Sequence, residues 1–349
     1  MDKTNPGRKN GSGRIMLWIL LGLAVLTVIF LALLLPLLTA SAPHEANIKI
    51  PAGATIENVR DSLEKHFGEK YASKVMKFIK IRNTDFSQRH GAYTIDKGTN
   101  ALTAARKLTS GAQTPVKITI NGFRSLPLLI NRISAKMEFP ADSLKAAVED
   151  SQLMEQYGLT PQNAMALFLD DTYEVYWNSS ARDVIKKIGE NYKRVWNADF
   201  TKKAEELGVT PAELTIIASI TDEESNATSE KGTIGRLYLN RLDKNMKLQA
   251  DPTVRFAIGD FTIKRVTQKD LRFESPYNTY IYAGLPPGPI RTTSEATIKS
   301  ILESQPNDFL YMCAKEDFSG THNFASDYEE HLANAKRYQE ALNQRGITR

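Results

Sequence analysis

The hydrophobic pattern divides this 349-residue chain into one unbroken apolar segment and a long remainder of mixed periodicity. Residues 15–38 are almost entirely Leu, Ile, Val, Ala, Phe, Met and Trp, relieved by Gly22, Thr27 and Pro36. At about 1.5 Å per helical residue this stretch reaches across a hydrocarbon core of roughly 30 Å. Ala40-Ser41-Ala42 has the small residues of a signal cleavage site. Signal-peptide cores span only about 7–15 residues, however, so the pattern favours a retained single-pass anchor.

Beyond a short linker containing Pro43, residues 47–50 read as a strand. Thr55 is placed to cap a helix over 56–67, and a second helix covers 71–81. Residues 91–95 have strand character, Asn100 opens a helix to 108, and 116–120 alternate as a strand. Helical patterns follow over 126–136, 143–150, 153–157 and 181–206. An aromatic and acidic run at 168–177 interrupts them, either as a strand with core-facing aromatics or as the lip of a sugar site. Thr210-Pro211-Ala212-Glu213 forms a capping box that starts a helix ending at Ser225. A further helix covers 234–242. Loops at 248–253, 277–280 and 284–290 precede a strand at 309–314 and a final helix from Asp327. The pattern predicts an α+β protein. It consists of a tail at 1–14, a transmembrane helix at 15–38, a small α+β module at 44–120, a mainly helical connecting region at 121–208 and a mixed α+β domain at 209–349.

Charge turns this pattern into a topology. The formal net charge is +5, but Lys3, Arg8, Lys9 and Arg14 against Asp2 put +3 of it into the tail. No concentrated basic face remains, which excludes a nucleic-acid partner. Four cations before the apolar span place the N-terminus in the cytoplasm and everything after it outside. An outer compartment without nucleotides excludes phosphoryl and hydride transfer. The single cysteine, Cys313, cannot form an intramolecular disulfide, and its neighbours suggest an inert thiol in a buried strand. The five histidines (44, 66, 90, 322 and 331) have no paired spacing, so neither a zinc site nor a cofactor is expected.

The helix ending at Ser225 carries the candidate chemistry. On a helical wheel Ile216, Ile217 and Ile220 form an apolar stripe. Glu224 lies four residues beyond Ile220 and near the centre of that stripe, Glu223 lies at its edge, and Asp222 points away. A carboxyl on an apolar stripe is partly desolvated, which raises its pKa and suits it to protonate a glycosidic oxygen.

The segment Ala218-Ser219-Ile220-Thr221-Asp222-Glu223-Glu224-Ser225 resembles the catalytic helix of the endolytic murein transglycosylases, the MltG (YceG-like) family. The resemblance continues through Tyr238-Leu239-Asn240-Arg241-Leu242, Met246 to Thr253, Tyr277-Asn278-Thr279-Tyr280, Gly284 to Ile290, and Gly320-Thr321-His322-Asn323-Phe324. Upstream, residues 91–95, Asn121-Gly122-Phe123-Arg124 and Asp171-Thr172-Tyr173 also fit. The family pattern carries Glu-Lys-Glu, whose second Glu is catalytic and falls on Glu224. Asp222 and Glu223 depart from the first two positions.

The resemblance implies a LysM-like glycan-binding module at 44–120 and a catalytic domain at 209–349 with a helical insertion before it. It implies cleavage of nascent peptidoglycan strands at the cell inner membrane, with Glu224 acting first as acid and then as base. The sugar's own hydroxymethyl group would attack the anomeric carbon and leave an anhydro-muramoyl end. Gln249, Asp251, Thr253, Tyr277, Asn278 and Tyr280 are the expected glycan-binding residues, and peptidoglycan synthases are candidate partners. Two alternatives stay open: a hydrolytic muramidase using Asp251 or Asp171 as second carboxylate, and a non-enzymatic wall-binding protein.

Overall fold

The computed structural model describes residues 11–263 and 265–346. Three of the four tail cations, Lys3, Arg8 and Lys9, lie outside the described residues. Helix α1 runs from Gly11 to Thr39, and its segment Gly13–Ala32 is long and apolar enough to cross a membrane, with none of it buried against protein. Within this helix Thr27 donates its hydroxyl to the Leu23 carbonyl at 2.8 Å, so its polar group is satisfied without water.

The chain forms two compact units. The first takes residues up to 116 together with 176–178. After α1 it contains β1 (Ala46–Ile50), α2 (Ile56–Phe67), α3 (Glu69–Arg82), β2 (Gly91–Ile95) and α4 (Ala101–Ser110). Strands β1 and β2 pair antiparallel, with Ile48 opposite Tyr93, and both side chains are fully buried. Val59, Leu63, Val75, Ile79 and Leu108 complete the core against them. Thr55 caps α2 in a reciprocal box with Asn58, as the sequence predicts for its position.

The second unit holds residues 117–175 and 179–346 of the described chain. Its elements begin with β3 (Val116–Ile120, all but its first residue in this unit), α5 (Leu126–Ser134), α6 (Ala141–Glu149), α7 (Ser151–Glu155), β4 (Asp171–Val175), α8 (Ala181–Val195) and α9 (Ala198–Glu206). They continue with α10 (Pro211–Glu224), α11 (Lys231–Asp243), α12 (Asp251–Ile258), α13 (Glu295–Leu302), β5 (Tyr311–Ala314), β6 (His322–Ala325) and α14 (Tyr328–Gln344). Strands β3 and β4 form one two-stranded sheet, and β5 and β6 pair antiparallel in another, with Ala314 opposite His322. The helical connecting region and the residues beyond 209 thus share this unit.

Several local expectations change. The single helix expected over 181–206 is two helices, because Trp196 leaves helical geometry and the Asn197 side chain caps the amides of Asp199 and Phe200. The run at 168–177 contains a strand whose alternate residues Tyr173 and Val175 are buried; Phe168, Tyr173 and Trp177 serve packing, while Tyr176 is exposed. The loop expected at 248–253 ends in α12, with Asp251 and Pro252 forming its first turn. Cys313 is only half-buried, because one face of the short strand β5 looks into a cavity.

Candidate active site

Helix α10 begins as the sequence suggests: Thr210 Oγ1 accepts from the Glu213 amide, and Glu213 accepts from the Thr210 amide at 2.8 Å. Every residue from Leu214 to Asp222 is buried, so the helix is covered on all sides instead of showing a single apolar stripe. Helix α11 packs close by, and α13 holds it: an added Cβ at Gly235 would come within 2.4 Å of Ile301, so only glycine permits this approach. Ser219, fully buried, accepts from the Ile290 amide at 3.1 Å, which fastens the proline-rich loop to α10.

The three consecutive acidic residues at the end of α10 have separate surroundings. Asp222, turned away from the stripe on the wheel, is nevertheless buried, and Lys231 Nζ donates to it at 2.6 Å. The hydroxyls of Thr293 and Thr297 donate to its two oxygens. Glu223 accepts from Arg124 Nε at 2.8 Å and Arg291 Nη1 at 3.0 Å. Glu224 is the last helical residue, and the extended backbone of Ser225 turns the chain away behind it. Its side chain opens into a cavity of about 280 Å³.

That cavity is walled by Tyr238 and Arg241 of α11, Gln249, Asp251 and Arg255 around α12, Tyr280, residues 312–314 of β5, and His322 of β6. Tyr238 donates its hydroxyl to Glu224 Oε1 at 2.8 Å. Burial pushes the Glu224 carboxyl up to about 7; the Tyr238 hydrogen bond opposes this, the Asp251 charge adds to it, and the cationic form of His322 and the Arg255 guanidinium oppose it. The carboxyl also sits at the negative end of α10, which disfavours a second negative charge. A group so placed carries a proton near neutrality and can deliver it to an acceptor in the cavity.

Of the expected glycan-binding residues, Gln249, Asp251 and Tyr280 meet at this cavity. Tyr280 donates its hydroxyl to Asp251 Oδ1 at 2.6 Å. Gln249 lies in the left-handed region at φ 50°, which costs a non-glycine residue on the order of 1 kcal/mol. Arg241 holds this segment by donating to the carbonyls of Lys247 and Leu248 at 3.1 and 2.9 Å, and to that of Leu310 at 2.6 Å.

Thr253, Asn278 and Tyr277 lie elsewhere. Thr253 is fully buried and donates to the Ala250 carbonyl at 2.7 Å, pairing also with Thr279. Asn278 is fully buried; its amide donates to the carbonyls of Leu271 and Phe273, and its oxygen accepts from the Tyr280 amide, so it shapes the turn that presents Tyr280. Tyr277 packs on Phe256 with ring centres 4.7 Å apart, beside a separate cavity of about 430 Å³ that Arg124, Phe261 and Pro289 also line. Asp171 is exposed on β4 and does not line the Glu224 cavity.

Tyr238, Arg241, Arg255 and His322 are the cavity residues that the sequence did not single out for a role. Tyr238, Arg241 and His322 fall inside motifs, but nothing local marks them as facing Glu224. Among the described residues, no three His, Cys, Asp or Glu side chains are grouped to hold a metal ion.

Comparison with known proteins places this geometry in a family. Residues 48–337 match the model of the YceG-like family. An endolytic murein transglycosylase of Bacillus subtilis is 28% identical over 318 residues, covering 86% of either chain. One of Streptococcus pneumoniae is 25% identical over 337 residues, which span 87% of this chain and 60% of that longer protein. The crystal structure of a yceG-like protein from Listeria monocytogenes superposes with a TM-score of 0.55 at 25% identity, covering 83% of this chain and 98% of that one. The chain belongs to the YceG-like family.

Proposed function

We propose that this chain is a membrane-anchored endolytic lytic transglycosylase that cuts peptidoglycan glycan strands, with Glu224 as its acid and base. The observation that carries this is a carboxyl, pushed up to about 7, that lines a polar cavity at the end of a buried helix. The names of the Bacillus and Streptococcus relatives support the same chemistry. In the first step the Glu224 proton passes to the glycosidic oxygen as the bond from the anomeric carbon breaks. The carboxylate then takes the proton of the muramoyl hydroxymethyl group, whose oxygen bonds to the anomeric carbon. Glu224 returns protonated, and no water is consumed.

Gln249, Asp251 and Tyr280 supply hydrogen-bonding groups to the sugar from the facing wall. Thr253 and Asn278 contribute by holding that wall, and Tyr277 by flanking the neighbouring cavity. A hydrolytic mechanism draws support only from Asp251, which shares the cavity, but its Oδ1 already accepts from Tyr280. Digestion of purified glycan strands by the full chain in detergent tests the endolytic reading. The account expects mean strand length to fall before disaccharides accumulate, and disaccharide release from the outset would contradict it.

Helix α1 fits a single-pass anchor with the remainder outside the cytoplasmic membrane. The order strand, helix, helix, strand with antiparallel pairing in β1–β2 supports the LysM-like reading of residues 44–120. Hydrogen exchange there should slow when soluble glycan strands are added, and unchanged exchange would contradict glycan binding by this module.

The charge arrangement makes a pH prediction. The acid form of Glu224 is required, so kcat/KM should decline as pH rises through about 7. Asp251→Asn removes a negative charge that favours the acid form, so the decline should move to lower pH. Activity at pH 7 should fall by roughly two- to threefold from this cause. A midpoint that stayed fixed or moved upward in the pH–rate profile would contradict the assignment.

A further inference from the structure

Besides Asp222, a further buried carboxylate near Glu224 is not used by the proton-transfer scheme. Glu230 precedes α11 and is only 7% exposed. Its two oxygens are committed to two neighbours. Oε2 accepts from the His322 amide at 2.9 Å, while Oε1 lies 2.9 Å from His322 Nδ1 and accepts from the Ser225 hydroxyl. Ser225 is the residue after Glu224, and its Oγ also accepts from the Ala227 amide at 3.0 Å. One carboxylate therefore ties the end of α10 to the start of β6.

Burial works against ionisation of Glu230, yet the hydrogen bonds from Ser225 and His322 hold its carboxyl below the usual range. An ionised carboxylate can only accept, so His322 Nδ1 must carry the hydrogen in this contact. In the neutral ring, that fixes Nε2 as the acceptor. No protein group among the described residues is bonded to Nε2, and the His322 ring lines the same cavity as Glu224, Asp251 and Tyr280. A purely structural histidine in this place would need neither a free ring nitrogen nor a place on the cavity wall.

We propose that His322 is a further substrate-contacting residue of this cavity, its Nε2 accepting a hydrogen bond from a hydroxyl of the bound glycan, and that Glu230 is the positioning residue that fixes its tautomer and ring orientation. The polar contact complements the other cavity residues, where the Gln249 amide offers donors and the Tyr280 oxygen, whose hydrogen goes to Asp251, offers an acceptor. It rests on the glycan-cleaving role proposed above. The arrangement also explains why a buried charge stands near the acid: a neutral side chain at 230 would leave the imidazole free to adopt either tautomer.

The test uses the full chain in detergent with purified glycan strands. In His322→Asn the amide nitrogen lies near the former Nδ1 position, so the Glu230 contact is retained while the Nε2 contact is lost. Its melting temperature should match that of the wild type, and kcat should fall by about 100-fold, the scale of one lost transition-state hydrogen bond. His322→Ala should lose activity and regain part of it on addition of imidazole, with a saturating dependence; a merely structural role would give no such rescue. Glu230→Gln should lower kcat by a smaller factor, because the ring remains but its tautomer is no longer held. A stable His322→Asn variant with wild-type kcat, or a His322→Ala variant that imidazole leaves inactive, would overturn the proposal. A wild-type chain that releases no fragments would instead overturn the glycan-cleaving role itself, so the two failures are distinguishable.

Discussion

Glu224→Gln is expected to reduce strand cleavage by about 10²- to 10⁴-fold, the contribution of a well-placed proton-transfer group, while leaving the fold intact. Gln is nearly isosteric, and the Tyr238 hydroxyl can still donate to its carbonyl oxygen, so the cavity wall is preserved. The same substitution should stabilise the protein in alkaline solution. Glu224 holds its proton more tightly in the folded chain, at about 7, than a free glutamic acid does at 4.5. Folding stability of the wild type therefore declines as pH rises from about 4.5 to about 7 and is level above that. Removing the ionisable group should leave stability nearly unchanged near pH 4 and raise it by about 3 kcal/mol at pH 8. Denaturant titrations at the two pH values, with glycan digestion alongside, check both parts. An inactive variant that is also less stable at pH 8 would indicate that Glu224 serves the fold and not the proton.

The second large effect falls on stability. Asp222→Ala should destabilise the second unit by about 3–5 kcal/mol, the usual cost of removing one partner from a buried ion pair. Asp222 is 7% exposed, and its loss strands the Lys231 ammonium together with the hydroxyls of Thr293 and Thr297. Those three partners come from the start of α11, the segment before α13, and α13 itself, so one carboxylate fastens three parts of the chain to α10. Asp222→Asn should cost less, because its carbonyl oxygen still accepts, but it cannot balance Lys231. Differential scanning calorimetry reads the effect. A wild-type melting temperature in Asp222→Ala would contradict this structural role and return the residue to consideration as a chemical group.

What the sequence made legible follows the range of the interactions involved. The cap at Thr55 and the capping box at Thr210 depend on residues within three positions and stand where the local pattern puts them, and Asn58 completes a second box at Thr55. The break at Trp196-Asn197 was hidden because apolar periodicity runs on through it, although Asn197 is itself a capping residue. Asp251-Pro252 carries a turn signal and a helix-start signal together; packing decided for the helix. On the helical wheel Glu224 stands out through a stripe, but α10 is buried on all sides, and what sets Glu224 apart is its place as the last helical residue beside an open cavity. Tyr238 and His322 reach that cavity from 14 and 98 residues further along the chain. Only the fold brings such distant positions together, and the same holds for the paired duties of Asp222 and Glu223.

The direct measurement of the central claim is strand cleavage carried out in oxygen-18 water, with the new ends analysed by mass spectrometry. Transfer to the sugar's own hydroxymethyl group predicts anhydro-muramoyl ends that contain no heavy oxygen and that are absent with Glu224→Gln. Reducing ends carrying the heavy isotope would contradict it and assign the bond-breaking step to water.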